Sequence, residues 1–166
     1  FLLNMFSKKL KIISHKLANQ CIKRNIHLVT AESCTGGLLS AIFTEIPGSS
    51  NWFDRGYVTY SNNAKIDLLG VGEKNLNNFG AVSQEIANEM SLGALRNSEA
   101  NLSVSITGIA GPDGGSIEKP IGTVFFAFAN EKKIILEHKA KFNGSREKIR
   151  EESILFVLNE LLNLTL

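Results

Sequence analysis

Apolar and polar positions switch between two periods along this chain. Over residues 7–24, Leu10, Ile13, Leu17 and Cys21 recur at three- to four-residue spacing, which predicts an amphipathic helix stopped at Asn25. Residues 26–30 read as a short buried strand. The run Ala31-Glu32-Ser33-Cys34-Thr35-Gly36-Gly37 reads as a turn, followed by an apolar helix over about 38–44. Pro47-Gly48-Ser49-Ser50 is a loop, and residues 52–60 favour a strand through Tyr57, Val58, Thr59 and Tyr60. Residues 62–69 suit a short helix ended by Gly70.

The second half continues the alternation. Ser83 is placed to cap a helix running to about Arg96, with Glu85 in its first turn. Residues 102–107 read as a buried strand and 108–120 as a Gly/Pro-rich loop. Two strands, 121–129 and 134–142, are joined by Asn130-Glu131-Lys132-Lys133 as an antiparallel hairpin. Ser145 can cap a last helix carrying Ile149, Leu155, Leu158 and Leu162. This order predicts an α/β fold: a three-layer α/β/α sandwich on a mixed, partly antiparallel sheet. In such folds ligands sit beyond the carboxyl ends of the strands.

Composition narrows the picture. The 166 residues suit a single domain spanning 1–166, with residues 1–5 read as a disordered or extraneous end. The first six residues are apolar but Lys8 and Lys9 follow them, the reverse of a secretory leader. No apolar run approaches the ~18 residues a membrane span needs, so no membrane partner is expected. Eighteen Lys and Arg against sixteen Asp and Glu leave a net charge of +2, too weak to point to nucleic acid. Two cysteines, Cys21 and Cys34, exclude a disulfide framework and fit a reducing cytoplasm. His15, His27 and His138 show no ligand spacing, and the carboxylates form no evident cluster, so no metal site is expected. A homodimer is compatible with so small a domain.

Four segments could carry chemistry. In the 33–37 turn, a hydroxyl on a strand-to-helix corner beside Gly36 and Gly37 suits a nucleophile with an oxyanion hole, or a phosphate cradle. Ser33 or Thr35 could equally do no more than cap the helix. Cys34 is a rival nucleophile without a partner at recognisable spacing. In Tyr60-Ser61-Asn62-Asn63-Ala64-Lys65, Lys65 could act as base to a serine if burial lowered its pKa, with Tyr60 orienting the amine or relaying a proton. A lone lysine at a helix start is more often a solvated charge. The loop Thr107-Gly108-Ile109-Ala110-Gly111-Pro112-Asp113-Gly114-Gly115 could wrap a polar ligand, or be a long turn. It matches neither dinucleotide nor Walker spacing. Arg146, at the start of the last helix, could receive a phosphate or simply face solvent.

Taken together these segments resemble the CinA C-terminal domain family. The resemblance rests on Thr30-Ala31-Glu32-Ser33-Cys34-Thr35-Gly36-Gly37-Leu38-Leu39, Pro47-Gly48-Ser49-Ser50 and Gly56-Tyr57-Val58-Thr59-Tyr60-Ser61-Asn62 with Ala64-Lys65. It continues through Leu68-Leu69-Gly70-Val71, Gly80-Ala81-Val82-Ser83, residues 107–112 with Gly114-Gly115, Lys119-Pro120-Ile121-Gly122-Thr123-Val124, Phe142, Gly144 and Arg146, and Ile149-Arg150. It spans about residues 7–163 and is to the stand-alone form, without the molybdopterin-type domain of longer members. The resemblance implies a nicotinamide-nucleotide amidohydrolase that turns nicotinamide mononucleotide and water into nicotinate mononucleotide and ammonia, a salvage step. It implies Ser33 as nucleophile, Lys65 as general base and Tyr60 as third member, with no cofactor. Thr35, Gly36, Gly37, Thr107, Gly108, Ala110, Gly111, Gly115 and Arg146 are the expected substrate contacts. The rivals are a nucleotide-binding module without turnover, a cysteine hydrolase acting through Cys34, and a structural partner in DNA uptake or repair.

Overall fold

The computed structural model describes residues 6–131 and 133–166. The reading of residues 1–5 lies outside them. Among the described residues the chain runs α1 (Lys8–Arg24), β1 (Leu28–Glu32), α2 (Leu38–Thr44), a 3₁₀ turn (Ser49–Asn51), β2 (Phe53–Val58), α3 (Asn62–Leu69) and α4 (Glu73–Phe79). It continues α5 (Gln84–Arg96), β3 (Leu102–Gly108), β4 (Thr123–Asn130), β5 (Lys133–Lys141) and α6 (Arg146–Leu164). The five strands form one mixed sheet in the order β2-β1-β3-β4-β5. β1 is parallel to both β2 and β3, whereas β3–β4 and β4–β5 are antiparallel.

Local chemistry sets the helix ends. Ser7, Ser61, Ser83 and Ser145 each accept an N–H from the first turn of the helix they precede. Asn25 and Gly70 close α1 and α3 in the left-handed region, at φ 54° and 66°. α4 had no counterpart in the sequence pattern. It is seven residues long, mostly polar, and its cap position is a glycine with no side chain to offer. β1 begins two residues later than the pattern suggests and takes in Ala31 and Glu32, because parallel partners on both sides extend the ladder to Glu32.

The sheet is covered on both faces. Leu28, Val104, Ile106, Val124, Phe126 and Phe128 point to one layer, where they pack with α1, α2 and α6. Val29, Ala31 and Ala129 point to the other, against α5 and the ends of α3 and α4. On that second face β3 carries hydroxyls in place of apolar groups. Ser103 and Ser105 donate to the Ser91 and Ala87 carbonyls of α5, at 2.9 and 2.6 Å, and Thr107 donates to Ala81 at 2.7 Å. These bonds satisfy buried hydroxyls that would otherwise be costly. The parallel strands β1, β2 and β3 therefore end at one edge, where the residues that follow them meet.

Candidate active site

Ser33 is the first residue beyond β1, and its N–H is still held in the sheet by the Ile106 carbonyl at 2.9 Å. Lys65 lies in the first turn of α3, after the chain has left β2. The fold brings the two together. Lys65 Nζ is 3.0 Å from Ser33 Oγ, 2.8 Å from the Thr59 carbonyl and 3.4 Å from the Tyr60 carbonyl. Lys65 is only 1% exposed and Ser33 8%. The solvated-charge reading of Lys65 thus gives way to a buried amine. Burial disfavours the ammonium and lowers its pKa from 10.5 to about 8. A base poised near neutrality at hydrogen-bond distance from a hydroxyl is the pairing a serine nucleophile needs.

The neighbouring thiol is in the opposite state. Cys34 is buried, and desolvation pushes its pKa up to about 12. It stays a thiol at neutral pH and is a poor nucleophile there.

The turn after Ser33 is shaped by its glycines. Gly36 and Gly37 hold φ of 59° and 92°, which side chains rarely adopt. The Gly36 N–H bonds back to the Ser33 carbonyl at 3.0 Å. Thr35 is buried; its carbonyl accepts from Leu38 N–H and from Arg150 Nη2 at 2.9 Å, and its hydroxyl has no partner among the described residues. Neither Ser33 nor Thr35 caps α2. That role falls to Glu32, whose Oε1 accepts from Leu39 N–H at 2.9 Å and whose Oε2 accepts from Ser40 N–H at 3.0 Å and Ser40 Oγ at 2.7 Å. Sequence reasoning passed over Glu32, Ser40 and Thr59. The available signal was a helix start at Gly37 with no capping side chain and an acidic residue just upstream.

The other expected contacts divide. Tyr60 is 60% exposed, and its phenol oxygen accepts from Arg146 Nη2 at 3.0 Å. It meets Lys65 through its main-chain carbonyl, which accepts from Lys65 Nζ at 3.4 Å. Arg146 also donates from Nη1 to the Gly111 carbonyl at 2.8 Å, so one guanidinium joins the 107–115 loop to the Tyr60 segment. The loop glycines at 108 and 115 are accounted for by close packing. A Cβ on Gly108 would meet the Thr123 carbonyl at 2.8 Å, and one on Gly115 would meet Ile121 N at 2.9 Å. Thr107 and Ala110 are buried, Thr107 bonded to Ala81 and Ala110 packed in the α1/α2/α6 layer. Among the described residues no three His, Cys, Asp or Glu side chains gather as a metal site.

The CinA C-terminal domain model matches residues 10–165. The chain belongs to the CinA C-terminal domain family. A relative from Enterobacter agglomerans named nicotinamide-nucleotide amidohydrolase PncC is 48% identical over 158 residues, 95% of this chain and 96% of its own length. The protein of the same name from Escherichia coli K12 is 45% identical over 157 residues, 95% of each chain. The crystal structure of the competence/damage-inducible protein CihA from Agrobacterium tumefaciens superposes with a TM-score of 0.95 at 41% identity, covering 99% of this chain and all of that one. The CinA fold accordingly accounts for nearly the whole chain, including the edge that holds Ser33 and Lys65. No described helix is long and apolar enough to cross a membrane.

Proposed function

We propose that this protein hydrolyses the carboxamide of nicotinamide mononucleotide, releasing nicotinate mononucleotide and ammonia, with Ser33 as nucleophile and Lys65 as base. The reading draws on the names of the PncC relatives for the substrate. The observation that carries the chemistry is the buried Lys65 amine 3.0 Å from Ser33 Oγ. A neutral lysine has two N–H groups and one lone pair. The Thr59 and Tyr60 carbonyls take the N–H groups, which turns the lone pair toward the Ser33 hydroxyl. Lys65 then takes the Ser33 proton as Oγ attacks the carboxamide carbon. The Gly36 N–H is bonded to the Ser33 carbonyl, and in this reading the remaining main-chain N–H groups of the turn after Ser33 hold the oxyanion. Collapse of the tetrahedral adduct passes the proton from Lys65 to the leaving ammonia. Water, deprotonated by Lys65, attacks the acyl carbon; the acyl–Oγ bond breaks, Lys65 returns the proton to Ser33 Oγ, and the acid is freed. Arg146, with three N–H groups beyond the two used on Gly111 and Tyr60, faces the substrate phosphate in this reading.

Ammonia release from nicotinamide mononucleotide, measured on wild type, Ser33→Ala, Lys65→Ala and Cys34→Ala, tests it. Wild type and Cys34→Ala should turn over, while the other two lose at least ~100-fold. A wild type that binds the nucleotide without releasing ammonia would make this a binding module. Loss confined to Cys34→Ala would make it a cysteine hydrolase.

A further inference from the structure

We propose that Glu32 is a positioning residue for the nucleophile: its carboxylate clamps the first turn of α2 and so holds the 33–37 turn in register with Lys65. The inference rests on the serine-hydrolase reading above. Glu32 is fully buried. Its two oxygens accept three hydrogen bonds, from Leu39 N–H, Ser40 N–H and Ser40 Oγ. Its main-chain carbonyl faces the other way and accepts the Thr59 N–H at 2.9 Å. Thr59 in turn presents its carbonyl to Lys65 Nζ at 2.8 Å. One residue is therefore bonded to the helix that follows the nucleophile and to the segment that carries the base's acceptor, and Ser33 is its direct neighbour. The contact is closed from outside as well: Ser40 Oγ lies 2.8 Å from Thr30 Oγ1, and a Cβ on Gly56 of β2 would stand 2.2 Å from Ser40 Oγ.

The need is for a carboxylate and not merely for a polar side chain of that size. All three groups around it give hydrogens, two of them main-chain N–H groups that cannot reverse. A glutamine would turn its own NH₂ toward at least one of them. Donor against donor would push α2 away from β1 and move Ser33 Oγ relative to Lys65 Nζ. A displacement of about 1 Å at a reacting pair is worth up to ~100-fold in rate.

The test compares Glu32→Gln and Ser40→Ala with wild type in three readouts. They are kcat and KM for ammonia release, the pH midpoint of kcat/KM, and the rate at which a small fluorophosphonate labels Ser33. For Glu32→Gln we expect kcat and the labelling rate to fall together by about 10- to 100-fold, with KM within about twofold and the pH midpoint unmoved. Ser40→Ala, which removes one bond of three, should give a smaller fall of the same kind. Unchanged kcat and labelling in a Glu32→Gln protein of lowered Tm would overturn the proposal, leaving Glu32 a scaffold residue. A shifted pH midpoint would overturn it too, because Glu32 would then act on Lys65 by charge. If Glu32→Gln does not fold, parallel loss or retention in Ser40→Ala decides. Failure of the amide-hydrolase reading is seen separately, as absent wild-type turnover or an active Ser33→Ala, and the labelling rates still report on Glu32.

Discussion

With Lys65 as the proposed base, catalysis and folding depend on the same proton. Its pKa is about 8 in the folded chain against 10.5 for an ordinary lysine, because burial disfavours the charged form. The base is active when neutral, so kcat/KM should climb with pH and level off above about 8. For stability the sign follows from proton counts. Between about 8 and 10.5 the unfolded chain holds a proton that the folded chain has lost, so stability rises with pH across that window. Below it both forms are protonated and the cost of burying the charge is constant. Thermal melts of wild type and Lys65→Met across this range should therefore show the wild-type Tm gaining on the variant as pH rises. Equal slopes would mean that the amine is not desolvated. Cys34 carries the opposite expectation: with its thiol held near 12, iodoacetamide at pH 8 should leave it unmodified in the folded protein. Residue types alone made Ser33 and Lys65 candidates. Nothing between positions 33 and 65 in the sequence says that the chain will bury the second against the first.

At the scale of elements, α3 matters because it carries Lys65, the proposed base. Its last turn is fixed to α5: Arg96 Nη2 donates to the Leu69 carbonyl at 3.2 Å and Asn97 Nδ2 to the Leu68 carbonyl at 3.0 Å. The approach is possible because α5 has Gly93 there, where a Cβ would lie 2.1 Å from the Leu69 carbonyl. Intrinsic helix preference would favour alanine at 93 by about 1 kcal/mol. The clash is with backbone and cannot be relieved by a rotamer change, so it should win. Gly93→Ala is expected to destabilise by about 1–3 kcal/mol, which at this chain length lowers Tm by very roughly 2–12 °C. It should also lower kcat by displacing α3; a Tm raised by the substitution would show that the two helices have room. The caps of α5 and α6, Ser83 and Ser145, were legible from sequence because a cap is a local hydrogen bond within a few residues. α2 was legible too, from its apolar run, but its cap was not. Glu32 reaches Leu39 and Ser40 from a different element, and only the completed β1–turn–α2 unit shows it.

At the scale of the molecule, the site edge is assembled from segments far apart in the chain. Arg146 opens α6, Gly111 lies in the loop after β3, and Tyr60 follows β2; one guanidinium spans all three. A lysine is a point charge and cannot hold two acceptors in that fork. Arg146→Lys should therefore raise KM by about tenfold or more while kcat changes less and the melt stays cooperative. An unchanged KM would remove Arg146 from the substrate side of the site.

The sequence by itself determined the order and type of most elements, the caps at Ser83 and Ser145 and the set of groups able to do chemistry. These depend on periodicity and on contacts within a few residues. The tertiary structure decided that Lys65 is buried against Ser33, that the Tyr60 phenol bonds to Arg146, and that the Glu32 carboxylate accepts three hydrogen bonds from the start of α2. A pKa shift needs desolvation by residues from several strands and helices, and a carboxylate clamp needs donors from a second element. Neither exists until the parallel strands β1, β2 and β3 have brought their ends to one edge of the sheet.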